Sequence, residues 1–527
     1  MSTPIDRLTR PQLIQRVKEL EKQQRLKEEK KFDVVHRGAA EEFQANNFIH
    51  HKISAASSCE VVGDKAFSGC TKLGSITFLP FYDRRQVVFM ICFSRKFKKN
   101  YPGAMQLISS FAGLGMVKKI GNDAFSHCTS LKSIELPDSL ETIGDRAFCG
   151  CTSLESITLP NSLETIGGEA FLECTSLKTI KLPDSLTTIG IVAFAGCTSL
   201  TSVKLPNSVT TIGDEAFNRC TSLTSIDLSN SVTTIGSGVF VSTSLTSIVL
   251  PYSVTSIGKA AFFGCTSLTS VVIRGPVNHV AKVVFERCTS LTSITLPDSV
   301  TTIEEGAFQF CTSLTSITLP DSVEKIGKRA FFNCTSLKSI KIPNSVTTIG
   351  KETFFDCSSL ESITLPDSVT TIGDFSFLGC YSLTSIDLPD SVTTIGEAAF
   401  QACSSLKSIQ LPDSVTTIEE MAFAYCRSLE SITFPPIGAK TIGDSVFSGC
   451  SSLESITLPN TVEKIGEAVF YDCSSLHTLV LPDSVTSVGG NTIPDNVYIR
   501  FIGLVKSASS VTIYPHMKSR KKRRKRK

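Results

Sequence analysis

The chain has 527 residues, of which 41% are hydrophobic and 19% are charged, and it contains no tryptophan. This composition is typical of a folded globular protein and excludes a largely disordered one. The net charge of +3 hides an asymmetry, because residues 518–527 hold nine Lys or Arg and the rest of the chain is mildly acidic. The longest apolar run, Val87 to Phe93, is far shorter than the roughly 20 residues that a membrane helix needs.

Residues 1–50 form a charged N-terminal segment whose middle part predicts a helix. Thr9 and Gln12 make a capping box, and apolar residues then share one face before the sequence becomes Lys- and Glu-rich. Two interpretations stay open: a solvated helix or a short coiled coil. The segment has no apolar stretch of the kind found in secretory signals, so the sequence predicts an intracellular protein, nuclear or cytoplasmic.

Residues 51–80 contain an N-terminal cap and the first copy of a repeat, with Phe67 and Cys70. Residues 81–116 then interrupt the repeat with a basic and aromatic segment. Such a mixture is found in nucleic-acid-binding segments, but no known module is matched. A surface loop and a gene-model artefact such as a retained intron are the alternatives that we favour.

From residue 117 to residue 487 the sequence repeats every 23 residues. One copy, residues 365–387, reads LPDSVTTIGDFSFLGCYSLTSID. Counting by the phenylalanine that recurs in each copy, from Phe67 to Phe470, gives 17 units. A fixed period of this length predicts a solenoid, in which each unit buries its apolar side by stacking on its neighbours. The copy that contains Phe240 is one residue short and has Thr243 near the place of its cysteine.

Within one unit, Ser133-Ile134-Glu135-Leu136 alternates polar and apolar residues, which predicts a short strand with Ile134 and Leu136 inward. Pro137 ends the strand, because proline has no N–H to donate to a sheet. Further apolar residues of the unit are expected to fill the interior: Leu140, Ile143, Ala147, Phe148, Cys151 and Leu154. The unit is therefore expected to be rich in strand and turn, with little helix.

Sixteen of the 19 cysteines occupy one position of the repeat. Stacked coils place equivalent residues about 4.8 Å apart with parallel side chains. A disulfide needs converging Cβ atoms about 3.8 Å apart, so we expect free, buried thiols. Metal binding is the alternative, but the sequence has no paired Cys-x-x-Cys and no Cys/His cluster that would support it.

The pattern Leu131-x-x-Ile134-x-Leu136, repeated along the array, resembles leucine-rich repeats. The segments Pro-Asp-Ser-Val-Thr-Thr-Ile-Gly and Ala-Phe-x-x-Cys-x-Ser-Leu narrow the resemblance to the BspA-like (bacterial surface antigen A-like) class. The resemblance implies a curved, right-handed solenoid of about 17 coils with parallel strands on its concave face. It also implies protein binding or cell-surface adhesion rather than catalysis. The asparagine ladder of ordinary leucine-rich repeats would fall near Ser139 and is missing, so the cysteines are the candidates to replace it.

The outward positions of the strands are mostly Ser and Thr, as at Ser293 and Thr295. Regular hydroxyl arrays occur on ice-binding solenoids, but charged residues interrupt this one, so we favour a polar surface for a protein partner. The charged positions that would select the partner are Lys132, Glu155, Lys178, Lys181, Lys204, Lys338, Lys341, Glu361, Lys407, Glu430 and Glu454.

No motif in the chain predicts catalysis. The seven histidines are scattered, and no phosphate-binding loop or dinucleotide fingerprint is present, so we expect no enzyme activity, no cofactor and no metal. The alternative is an enzyme whose site lies in residues 1–116. An Asp or Asn recurs in the turn, as at Asp138 and Asn161, and is expected to bond to the backbone rather than to hold calcium.

Residues 488–517 lose the period but keep an alternating pattern, which predicts a C-terminal cap over the last coil. The basic tail, residues 518–527, predicts a nuclear import signal or a contact with nucleic acid or another polyanion, and an inert solubilising end is the alternative. Its basic residues are Lys518, Arg520, Lys521, Lys522, Arg523, Arg524, Lys525, Arg526 and Lys527.

Overall fold

The computed structural model describes residues 61–71, 73–77, 90–92, 117–435, 438–494, 497–502 and 512–513. The N-terminal helical segment 1–50, most of the segment 81–116 and the basic tail 518–527 lie outside these residues. The chain divides into two compact units, residues 1–209 with 219–222, and residues 210–218 with 223–527. Every element of the described ranges is a strand. No helix in that part is long and apolar enough to cross a membrane.

The first unit is a parallel β-solenoid in which each coil contributes two kinds of strand. Three-residue strands of Ser-Ile-Thr type pair in the order β2-β5-β7-β9-β11, and two-residue strands of Thr-Ile type pair in the order β1-β4-β6-β8-β10. The strands are β1 (Val61–Val62), β2 (Ser75–Thr77), β3 (Met90–Cys92), β4 (Lys119–Ile120), β5 (Ser133–Glu135), β6 (Thr142–Ile143), β7 (Ser156–Thr158), β8 (Thr165–Ile166), β9 (Thr179–Lys181), β10 (Thr188–Ile189) and β11 (Ser202–Lys204). β3 pairs antiparallel with β2, so three residues of the irregular segment 81–116 extend this sheet.

The second unit continues the same two kinds of strand. Its strands are β12 (Thr211–Ile212), β13 (Ser225–Asp227), β14 (Thr234–Ile235), β15 (Ser247–Leu250), β16 (Ser256–Ile257), β17 (Ser270–Ile273), β18 (His279–Val280), β19 (Ser293–Thr295), β20 (Thr302–Ile303), β21 (Lys325–Ile326), β22 (Ser339–Lys341), β23 (Thr348–Ile349), β24 (Ser362–Thr364), β25 (Thr371–Ile372), β26 (Thr394–Ile395), β27 (Ser408–Gln410), β28 (Thr417–Ile418), β29 (Ser431–Thr433), β30 (Thr441–Ile442), β31 (Ser455–Thr457), β32 (Lys464–Ile465), β33 (Thr478–Pro482), β34 (Ser487–Val488), β35 (Tyr498–Ile502) and β36 (Thr512–Ile513). The last two strands, in the region expected to form the C-terminal cap, pair parallel with β33 and β34.

The 23-residue period sets the strand register, because each residue lies beside its equivalent in the next coil. Ser133 is opposite Ser156, and Ile134 is opposite Ile157. The predicted alternation is confirmed, since Ile134 is buried between the exposed residues Ser133 and Glu135. Leu136, also predicted to point inward, is half-buried at the end of the strand, and its equivalents Leu159 and Leu182 are buried.

A column of phenylalanines fills the interior, where a column means the residues at one position of successive coils. The rings stack nearly parallel, as between Phe377 and Phe400, whose centroids are 5.3 Å apart at an interplanar angle of 1°. All members are buried: Phe67, Phe125, Phe148, Phe171, Phe194, Phe217, Phe240, Phe262, Phe285, Phe308, Phe331, Phe354, Phe377, Phe400, Phe423, Phe447 and Phe470. Aromatic burial of this extent is a large part of the stabilisation of the coils.

The cysteine column is free and buried, which confirms the prediction. Each thiol of the regular coils donates a hydrogen bond to the phenylalanine carbonyl of the preceding coil, as from Cys311 Sγ to Phe285 O at 3.2 Å. Burial raises the pKa of the Cys265 thiol to about 11 and that of the Cys334 thiol to about 12. The cysteines therefore provide the repeated side-chain-to-backbone bond that the missing asparagine ladder would have supplied.

A second column of bonds lies in the turns after most of the three-residue strands. The serine hydroxyl of such a turn donates to a carbonyl of the preceding coil, as from Ser322 Oγ to Val300 O at 2.7 Å. The prediction that the neighbouring Asp or Asn side chain hydrogen-bonds to the backbone of the turn is wrong. The side chains at Asp138 and Asn161 are exposed, and no described residue hydrogen-bonds to them. The serine has the shorter side chain and lies closer to the preceding coil.

The segment around each phenylalanine is a run of turns rather than a strand, yet it also links the coils. Alternate backbone N–H groups donate to carbonyls of the next coil, as from Phe125 N to Ala147 O at 2.7 Å. The phenylalanine points inward, and four neighbouring positions point outward or lie half-buried. In the coil of Phe331 these four are Lys328, Arg329, Phe332 and Asn333. We call the set of these four positions in successive coils the turn flank.

Candidate protein-binding surface

In each unit, the outward side chains of the three-residue strands and of the residue before them are exposed in successive coils, and we call this set of positions the strand face. In one coil these positions are Thr292, Ser293 and Thr295, all exposed. Every charged residue that the sequence analysis assigned to partner binding is exposed on this face: Lys132, Glu155, Lys178, Lys181, Lys204, Lys338, Lys341, Glu361, Lys407, Glu430 and Glu454.

In the first unit the charged side chains of the strand face lie on adjacent strands. Lys178 Nζ is 3.3 Å from a carboxylate oxygen of Glu155, and Lys181 lies opposite Thr158 in the strand register. The Lys178–Glu155 pair is exposed, so it contributes little to stability, on the order of 0–1 kcal/mol. The Lys178 and Glu155 side chains can therefore give up this ion pair and bind charged groups of another protein with little loss of stability.

In the second unit the charges of the strand face fall into two groups. Lys338 precedes β22 and Lys341 is its last residue, and Glu361 follows on the next coil, where its N–H donates to the Lys338 carbonyl at 2.8 Å. Lys407, Glu430 and Glu454 occupy one position on three other coils. Within each unit the structure thus places the predicted residues in short clusters on the strand face rather than in a single site.

The sequence analysis missed an apolar group in the second unit. Val249 of β15 lies opposite Val272 of β17, and Val249 is 47% exposed. Tyr252 follows β15 and is 75% exposed, with the Arg274 guanidinium 5.8 Å from its ring centroid. The degenerate copy at Arg274, Gly275 and Pro276 was the available signal, because Arg274 stands where most other copies have the proline of the Pro-Asp-Ser turn.

The described part of the chain contains no group of three or more His, Cys, Asp or Glu placed to hold a metal ion. Its strand face offers hydroxyl, ammonium and carboxylate groups together with one apolar cluster. Such a surface suits recognition of another macromolecule.

The fold is that of leucine-rich repeat proteins. A family model for the BspA type leucine-rich repeat region matches residues 40–94, 107–200, 187–308, 278–405 and 370–500. These matches cover most of the chain, which therefore belongs to the BspA-type leucine-rich repeat family. The comparison with curated proteins gives no match.

Among solved structures, the chain is similar to a leucine-rich repeat protein from Bacteroides ovatus. The two are 27% identical with a TM-score of 0.57, and the match covers 87% of this chain and 100% of the other. A leucine-rich cell surface protein from Faecalibacterium prausnitzii is 22% identical, with 83% and 89% of the two chains covered and a TM-score of 0.27. A leucine-rich repeat protein from T. pallidum is 29% identical, with 42% and 72% covered and a TM-score of 0.20.

Proposed function

We propose that this chain is a non-catalytic scaffold that binds a protein partner on its strand face. The observation that carries the proposal is a group on β15, β17 and the turns that follow them: Val249, Tyr252 and Arg274 are exposed, and Val272 is half-buried beside them. Binding energy in protein interfaces is concentrated in a few aromatic and arginine side chains that become desolvated. Tyr252 and Arg274, in the turns that follow β15 and β17, are such a pair.

The charged strand-face residues of the second unit lie on other coils and would meet the outer part, or rim, of an interface centred on this group. Rim charges steer a partner and reject wrong ones more than they add affinity. In the second unit, Lys338 and Lys341 give the rim a positive segment, and Glu430 and Glu454 give it a negative one. The proposal therefore favours a partner with negative charge opposite Lys338 and Lys341 and positive charge opposite Glu430 and Glu454 over a uniformly charged partner.

The test is affinity capture with the full chain and two matched variants. We expect proteins retained by the wild type to be lost when Tyr252→Ala and Arg274→Ala are combined. They should be kept by Tyr381→Ala, which removes an equally large tyrosine, 49% exposed, outside the strand face. Retention of the same proteins by all three chains would refute the proposal, as would partners that bind residues 1–116 alone.

We further propose that the tail, residues 518–527, directs the chain to the nucleus or to a polyanion. Nine basic residues in ten attract nucleic acid through release of its counterions, an attraction that weakens steeply with salt. A fluorescent fusion with and without the tail, together with RNA binding at low and high salt, tests this. An unchanged distribution and salt-insensitive or absent RNA binding would make the tail a solubilising end only.

A further inference from the structure

The turn flank of the second unit changes the sign of its charge halfway along. At the position three residues before the phenylalanine, the five coils from Phe262 to Phe354 are mainly basic, and the five coils from Phe377 to Phe470 are all acidic. In the first five coils the residues are Lys259, Lys282, Glu305, Lys328 and Lys351, and in the next five they are Asp374, Glu397, Glu420, Asp444 and Glu467. This position therefore forms a basic half and an acidic half.

The two halves differ in how their charges are compensated. In the basic half, the Glu305 carboxylate forms two ion pairs: its Oε2 is 2.7 Å from Lys282 Nζ and its Oε1 is 3.3 Å from Lys328 Nζ. In the acidic half, Asp374 has an ion pair of 3.7 Å with Lys351 at the junction. The other four acidic residues of this column are exposed and have no ion pair with any described residue.

The same flank carries half-exposed aromatic and apolar side chains where other coils have small or polar ones. In the basic half, Phe332 and Phe355 stack with centroids 4.6 Å apart. The Arg287 guanidinium lies 5.4 Å from the Phe310 centroid, a cation–π contact. In the acidic half, Tyr425 is 44% exposed and Tyr471 is 60% exposed.

We infer that this flank binds a second copy of the chain, with the coil order reversed. The two copies are related by a two-fold axis that lies in the interface, perpendicular to the direction in which the coils stack. Each position within a coil then faces the same position in the other copy, and the order of the coils is reversed. The axis that satisfies the charges passes between the coils of Phe354 and Phe377. It pairs Lys259 with Glu467 of the second copy, Lys282 with Asp444, Lys328 with Glu397, and Lys351 with Asp374.

The same register pairs the apolar side chains, although the charges alone define it. Phe263 meets Tyr471, Phe310 meets Tyr425, and Phe355 meets Leu378, each pair at one position of the coil. The one like-charged pair is Glu305 with Glu420, and in each copy Glu305 already lies between Lys282 and Lys328. Exposed ion pairs contribute little each, so the apolar contacts supply affinity and the charges fix the register.

This interface does not use the strand face, so it is independent of the function proposed above. It makes the assembly an isologous dimer, in which every contact occurs twice. A dimer would present two strand faces, and a partner with two binding sites would bind it with higher avidity than a single chain.

The test is sedimentation equilibrium of the full chain, its basic-reversed variant (Lys259→Glu with Lys328→Glu) and its acidic-reversed variant (Glu397→Lys with Glu467→Lys). We expect the wild type to reach twice the mass of one chain at about 0.1 M salt and to dissociate at about 1 M, where the Debye length falls from about 10 to about 3 Å. Each variant alone should dimerise at least about tenfold more weakly, and an equimolar mixture should recover the dimer. All four sites are exposed, and the column already accommodates both signs, so the variants should fold.

The matched control is Lys338→Glu with Lys341→Glu, which makes the same charge change on the strand face and should leave the dimer unchanged. A wild-type chain that stays at single-chain mass at low salt would overturn the inference. So would a dimer that neither flank variant weakens, or variants whose mixture fails to recover it. Weakening by the acidic-reversed variant alone would show that another basic segment binds the acidic half and would equally overturn this register.

Discussion

The coil of Phe240 and the coil of Phe308 differ in one side chain that links neighbouring coils. In the coil of Phe308, Cys311 donates to the preceding coil. In the coil of Phe240, Thr243 takes the place of the cysteine and donates to the carbonyl of Phe240 itself, at 3.0 Å. The rings of Phe217 and Phe240 are 6.0 Å apart, against 5.6 Å for Phe285 and Phe308, the pair that the Cys311 bond bridges. The comparison suggests that the thiol holds coils close because it reaches backward across the stack.

The largest expected effect is alkaline unfolding of the thiol-bearing coils. Burial raises the pKa of these thiols, to about 11 for Cys265 and about 12 for Cys334, from an ordinary value of 9.0. The stability they contribute is therefore complete below about pH 9 and is lost as the pH rises toward 11–12, at about 1.4 kcal/mol per thiol and pH unit. Circular dichroism across this range measures the loss. A variant with Cys311→Val and Cys334→Val should lose stability less steeply, and an equal slope would contradict the thiol explanation.

Next in size is Cys311→Asp, which places an uncompensated charge where the thiol is 0% exposed. We expect the free energy of unfolding to fall by several kcal/mol, on the order of 5, whereas Cys311→Ala should cost only about 1 kcal/mol. Urea denaturation measures both. In the coil of Phe240, Thr243→Asp should lower the free energy of unfolding less than Cys311→Asp does, because the rings of Phe217 and Phe240 are farther apart. An equal loss at both sites would contradict the role given to the thiol.

Truncation of the aromatic column should show the same contrast. Phe331→Ala removes a fully buried ring from a tightly stacked pair and should cost about 3–5 kcal/mol. Phe240→Ala should cost less, near the lower end of that range, because its ring is farther from the ring of Phe217. The urea midpoints of the two variants decide the order, and a larger loss at Phe240 would refute the idea that thiol links tighten the column.

The smallest expected effect is a gain from restoring the column. Thr243→Cys gives the short coil a thiol at the place where regular coils have one, and it should stabilise the chain by about 0.5–1 kcal/mol, the value of one buried hydrogen bond. Thermal unfolding measures the shift, with Thr243→Ser as the control that keeps a hydroxyl. No gain over Thr243→Ser would mean that the missing residue of this coil, rather than its missing thiol, widens the ring spacing.

Much of the fold follows from the sequence because one period governs it. The buried phenylalanine and cysteine columns and the exposed strand-face hydroxyls were predicted, since each depends only on the alternation within a copy. The bonds made by Cys311 and Ser322 were not assigned, because their acceptors belong to the preceding coil and depend on the spacing between coils. The sequence analysis gave the hydrogen bond in the turn to the aspartate, whereas the serine beside it is the residue that donates one. The sequence alone does not show which of these two polar neighbours faces the preceding coil.

The candidate site was only partly predictable. Charged strand-face residues such as Lys338 stand out as exceptions in a repeated sequence. The group formed by Val249, Tyr252 and Arg274 did not stand out, because valine at a strand position suggests burial and the copy is degenerate. Pairing of the two halves of the turn flank likewise depends on which positions face outward, and the structure supplies that.

The backward bond from each thiol has a consequence for how the chain length can change. Cysteines recur every 23 residues from Cys265 to Cys426, and the acceptor of Cys311, like that of Cys334, lies 26 residues earlier in the chain. Deleting or duplicating any 23 consecutive residues in this stretch rejoins equivalent positions and leaves every such distance unchanged. A gene encoding this array can therefore gain or lose whole coils by unequal recombination while each intermediate still folds, and copy number can vary between related genes more freely than sequence within a copy.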